Sequence, residues 1–77
     1  MDLKKGSVVY SISGSDKGKV FLVVRTEGEY SYIADGILRK VDKPKKKKNK
    51  HLQKTNRVFE IGDEIENYQI REILKTL

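Results

Sequence analysis

Lys17 and Lys19 flank Gly18 in the stretch GSDKGKVFLVV, residues 14–24, where two ammonium groups precede a run of β-formers. The residue types suit phosphate. A nucleotide-phosphate loop, however, needs Gly, four residues, then Gly-Lys-Ser/Thr between a strand and a helix, so that amides and the helix N-terminus cradle the anion. Here Gly14 is followed by three residues and then Gly18-Lys19-Val20, one residue short. Val20 offers no hydroxyl for magnesium, and the residues after it read as a strand. The nucleotide-loop reading is therefore set aside. His51 is the sole imidazole, and with no cysteine in the chain it makes a poor metal site. It reads as packing beside Leu52, with stacking or a phosphate contact as the alternative. Asp63, Glu64 and Glu66 cluster at the start of an expected helix, where the dipole favours carboxylates and no nucleophile is in view. No catalytic constellation emerges, so the chain is not read as an enzyme, and no metal or cofactor is expected.

Charge is more informative. The formal net charge is +6, with pI near 9.6. It splits as 0 over residues 1–38, +9 over 39–57 and −3 over 58–77, so the whole positive excess lies in one central stretch. An anionic partner is the natural reading. The tract Lys45, Lys46, Lys47 and Lys48, with Lys43, Lys50 and Lys54, supplies point charges that attract a polyanion without reading its sequence. Adjacent lysines repel and Pro44 disfavours a regular element, so residues 42–51 are expected to form a mobile basic loop.

The elements that must position these groups are mostly strands. Val8, Tyr10 and Ile12 alternate with Ser7, Val9, Ser11 and Ser13, the period of a half-buried strand. Residues 19–25 are almost all β-branched or large apolar. Residues 29–35 alternate again, with Tyr30, Tyr32 and Ala34 on one face. Gly14 to Gly18 would close a first hairpin and Gly28 a second, since glycine takes positive φ without steric cost. Asp35-Gly36 marks a further turn, after which Ile37 to Val41 can form a fourth strand. Tyr30 and Tyr32 read as core or rim packing, with base stacking the less favoured role. From Ile61 onward Ile61, Ile65, Tyr68, Ile73 and Leu77 recur at helical spacing, which places one short helix within about residues 63–76, capped by Asp63 or Asn67 and packed across an open end of a barrel.

Size limits the rest. A single domain of 77 residues buries only about 60% of its unfolded surface, which leaves little room for a deep cleft. The longest apolar run, Val20 to Val24, is too short to span a bilayer or serve as a signal-peptide core. Together with the lack of cysteine, this leads to the expectation of a cytoplasmic monomer without membrane contact.

The stretch GSVVYSISGSDKGKVFLVV resembles the KOW motif of several ribosomal proteins and transcription elongation factors: a strand, a loop with a charged pair and glycine (Asp16-Lys17-Gly18-Lys19), then a hydrophobic strand. The stretch YIADGILRKVDKPKKKKNKHLQKTN is similar to the second half of the barrel in archaeal and eukaryotic large-subunit ribosomal proteins of the L-fourteen-e, L-six-e and L-twenty-seven-e group. The likeness covers about residues 5–56. It implies a mainly β fold, a small SH3-like barrel of KOW type over about residues 5–59 with one short C-terminal helix, which binds structured RNA of the ribosomal kind. The residues assigned to RNA are Lys17, Gly18, Lys19, Arg39 and Lys40, together with, on the charge of the basic segment, Lys43, Lys45, Lys46, Lys47, Lys48, Lys50, His51 and Lys54. The alternative is a protein-interaction module that docks an acidic surface of a ribosomal or transcription partner.

Overall fold

The computed structural model describes residues 3–76. Five strands, β1 (Ser7–Ser11), β2 (Val20–Glu27), β3 (Tyr30–Ala34), β4 (Lys45–Lys48) and β5 (Leu52–Val58), form one antiparallel sheet in the order β4-β3-β2-β1-β5. A 3₁₀ turn, Asn49–His51, joins β4 to β5, and one helix, α1 (Asn67–Leu74), follows. The fold is mainly β with a short C-terminal helix, as the periodicity indicates.

The apolar run of β2 is buried on both sides. Phe21 and Val23 point to one face, where Val9 pairs with Phe21 and Ile33 with Val23; these four and Leu52 form a first core cluster with Leu3 against it. Leu22 points the other way, in register with Val8 and Ala34, and Ile70 of α1 covers all three. Period 2 thus gives two thin cores from one strand. Tyr10 and Ile12 are exposed, whereas Ser7, Val8, Val9 and Ser11 are buried, so β1 does not follow a simple in-out alternation. The helix likewise lies on the second sheet face, over Val8, Leu22 and Ala34, and not across an open end.

The sheet is strongly curled. Laid flat, four strand intervals of about 4.8 Å would hold its edges roughly 19 Å apart, yet three residues carry the chain from edge strand β4 to edge strand β5. An extended segment of that length spans only about 11–14 Å. Curling brings the edges together, although no ladder joins β4 to β5 and the sheet is not closed.

Three expectations about local structure need correction. Residues 37–41 form no strand: Gly36 takes φ +80°, and the amides of Ile37 and Arg39 donate to Asp35 Oδ1 at 2.8 and 2.9 Å. The Val41 amide donates to Asn67 Oδ1 at 2.8 Å. The donors a ladder would need are spent elsewhere. The fourth strand is instead the lysine tract, paired with β3 from Tyr30↔Lys48 to Ile33↔Lys45, so the basic segment is not a loose loop. The helix cap is Glu66, which forms a capping box with Gln69 and is neither Asp63 nor Asn67. Asn67 is occupied with the Val41 amide.

Candidate nucleic-acid interface

The lysine tract resolves into two pairs because successive strand residues point to opposite faces. Lys45 and Lys47 point inward, alongside Ile33 and Ser31; Lys46 and Lys48 point outward, alongside Tyr32 and Tyr30. The repulsion expected of four adjacent ammonium groups is relieved by that separation and by what each pair meets.

The inward pair meets Asp16 of the β1–β2 hairpin loop. Lys47 Nζ donates to Asp16 Oδ1 at 2.6 Å, Ser11 Oγ at 2.8 Å and the Ser13 carbonyl at 2.8 Å. All three ammonium donors are satisfied. Lys45 Nζ donates to Asp16 Oδ2 at 2.9 Å, and the Ser11 hydroxyl adds a 2.6 Å bond to Oδ1. The Lys47 and Asp16 side chains are only 7% and 9% exposed, so this is a buried ion pair with a complete hydrogen-bond set. Burial alone would raise the Asp16 pKa; the bonds from Lys47, Ser11 and Lys45 outweigh it and hold the carboxyl well below the usual carboxylate range.

The outward pair lies on an aromatic surface. Lys46 Nζ is 4.6 Å from the Tyr30 ring centroid and 6.0 Å from that of Tyr32, and Lys48 Nζ is 6.0 Å from Tyr30. The Arg25 guanidinium carbon stands 4.0 Å from the Tyr32 centroid. Both rings are half-buried on the sheet surface, the rim packing expected of them. Glu27 accepts from the Tyr32 hydroxyl at 3.0 Å and lies 3.6 Å from Lys46; that hydrogen bond and the Lys46 and Arg25 charges lower its pKa.

The other expected site residues fall around this frame. Lys17 and Lys19 are exposed on the hairpin loop, and Gly18 between them has φ +90° with open space where a side chain would stand. Arg39 and Lys40 are exposed in the turn after Gly36, not on a strand; the same turn presents Ile37 and Leu38, which border a groove with Gly18 and Lys19. Lys43 is exposed in the next turn, Lys50 is exposed in the 3₁₀ turn and Lys54 on β5. His51 is half-buried, and its carbonyl accepts from the Ile12 amide at 3.0 Å. Lys17, Lys19, Lys48, Lys50 and Lys54 have no carboxylate within ion-pair distance among the described residues. The carboxylates of the C-terminal segment line a depression of about 900 Å³, with Glu60, Asp63, Glu64, Glu66 and Glu72 around it and none of these cations. Phosphate is repelled there.

Asp16 and Arg25 do not stand out in the sequence as site residues. The signal for Asp16 is its place as the one carboxylate in a glycine-lysine loop; that for Arg25 emerges only once the β2–β3 register sets it beside Tyr32. No helix among the described residues is long and apolar enough to cross a membrane. The sequence matches no protein-family model, and a search of curated proteins finds no match.

Proposed function

We propose that the chain is a small RNA-binding module, an SH3-like barrel of KOW type left open at one seam, which holds structured RNA by its phosphates. The observation that carries this reading is the buried Asp16 node. It ties the β1–β2 loop to β4, so the loop cations Lys17 and Lys19 and the strand and turn cations Lys46, Lys48 and Lys50 belong to one rigid unit. Cations held in place position a polyanion; cations on a mobile tail only attract it. Lys45 and Lys47 act in this reading as internal struts.

The test uses salt and two pairs of substitutions. Five phosphate contacts give a slope of log affinity against log salt between about −3.5 and −4.5. Lys46→Gln with Lys48→Gln should flatten that slope by about 1.4–1.8 and leave folding intact, since both side chains are outward. Lys17→Gln with Lys19→Gln should weaken a preferred structured RNA more than a random strand. A salt-independent affinity, or unchanged RNA binding in both double variants, would refute the proposal and favour an acidic protein surface as the partner.

A further inference from the structure

The outer sheet face beside β4 offers more than charge. Arg25 and Tyr32 are partners across the β2–β3 ladder, and their side chains stack at 4.0 Å. The pair forms one wall of a groove of about 590 Å³ whose other lining includes Val24, Val41, Pro44, Ile65 and two carboxylates, Asp42 and Asp63, the latter held by Lys5 Nζ at 2.8 Å. Lys46 is the register partner of Tyr32 on the next strand, and Lys48 of Tyr30. Arg25 is exposed, so the side of its guanidinium away from the ring is open to a ligand. A guanidinium backed by an aromatic ring is a flat cationic platform of the kind on which an unpaired base stacks. Val24, Val41 and Pro44 on its walls suit the base, and the neighbouring ammonium groups suit the phosphates on either side of it.

We propose that this groove takes one unpaired nucleobase of single-stranded RNA, stacked on Arg25 with Tyr32 behind it and with its flanking phosphates on Lys46 and Lys48. The inference rests on the RNA-binding reading and names a site within it. Asp42 sets the base edge. Its carboxylate is exposed, has no ion-pair partner among the described residues, and when ionised only accepts hydrogen bonds. Guanine presents two adjacent donors, N1–H and the N2 amino group, to such an acceptor, whereas adenine presents a bare N1. The groove therefore prefers guanine.

The experiment uses the full chain and three heptamers of abasic ribose phosphate carrying one central guanine, one central adenine or no base, all of equal charge. The guanine heptamer should bind at least about fivefold more tightly than the base-free one. It should also quench tyrosine emission, which is read directly because the chain has four tyrosines and no tryptophan. Arg25→Lys keeps the charge but removes the plane, and should bring the guanine heptamer to within about twofold of the base-free one. Tyr32→Leu should do the same and abolish the quench. Arg25 is exposed, so its variant keeps the test decisive if Tyr32→Leu folds poorly. Asp42→Asn should erase the preference for guanine over adenine. Equal binding of the guanine and base-free heptamers, while structured RNA still binds in a salt-dependent way, overturns the base site alone. Equal binding of guanine and adenine overturns the role of Asp42. Loss of salt-dependent binding to every RNA overturns the RNA reading itself.

Discussion

Replacing Asp16 by asparagine keeps the shape and one acceptor at the centre of the buried node but removes the charge that two lysines share. Lys47, its side chain 7% exposed, is then left with an ammonium group facing only the Ser11 hydroxyl, the Ser13 carbonyl and a neutral amide. Removing one member of a buried pair costs about 3–5 kcal/mol, because the other charge stays desolvated. A domain of this size has in total only about 4–12 kcal/mol of stability, at the usual density per residue. Asp16→Asn should therefore remove about a quarter or more of it, and lower the melting temperature by about 12 °C or more. The reverse change is asymmetric. Lys47→Met leaves Asp16 bound to Lys45 and to the Ser11 hydroxyl, with Lys45 26% exposed, and should cost about half as much. The double variant strands no buried charge and should be more stable than Asp16→Asn alone. Urea unfolding of the four proteins closes the cycle. A loss below about 1 kcal/mol for Asp16→Asn, the value of an exposed pair, would refute the argument; so would a double variant no better than the sum of the singles.

Two further outcomes follow from the same geometry. Asp16 has a folded-state pKa below its ordinary value of 3.8, so the unfolded chain binds the proton more readily; the stability it supplies is complete above that value and is lost as pH falls below it. Acid titration of unfolding free energy should show a drop below about pH 4 that is smaller in Asp16→Asn. Gly36 and Gly18 both have positive φ, but a Cβ on Gly36 would stand 2.5 Å from the Asn67 carbonyl, whereas one on Gly18 meets nothing within 4 Å. Gly18→Ala should cost about 1–2 kcal/mol from conformation alone, and Gly36→Ala clearly more; equal losses in chemical denaturation would show that the Gly36 contact with α1 is yielding.

The strands and hairpins that depend on local chemistry were readable. Gly14 to Gly18 and Gly28 mark real hairpins, because positive φ at a strand end leaves few alternatives to glycine. The C-terminal helix follows from its apolar spacing. Residues 37–48 were not readable locally, for the opposite reason. Ile37 to Val41 has the composition of a strand, but the Asp35 carboxylate and the Asn67 amide oxygen take its backbone donors, and Asn67 lies 26 residues beyond Val41. Four successive lysines have the composition of a loop, and the residue that makes them a strand is an aspartate 29 residues before Lys45. Long-range partners override propensity at both places.

The candidate site repeats that lesson at the level of single side chains. Composition counts Lys45 to Lys48 as four equal charges, and all four belong to the +9 segment that points to an anionic partner. Period 2 divides them: two positive charges are spent internally on Asp16, and two remain on the surface beside Tyr30, Tyr32 and Arg25. Bulk charge therefore overstates what the tract can offer a ligand while understating where it can act. An edge strand of alternating inward and outward lysines also resists pairing with a further strand, since a neighbour would have to approach a row of ammonium groups. A sheet with an open seam needs such protection. The same four residues thus lock the loop, guard the edge and present cations on a defined face, and only the last of these depends on a ligand. For that reason Lys46 and Lys48 can be neutralised without unfolding the protein, whereas Lys47 does not supply the surface charge that composition credits to it.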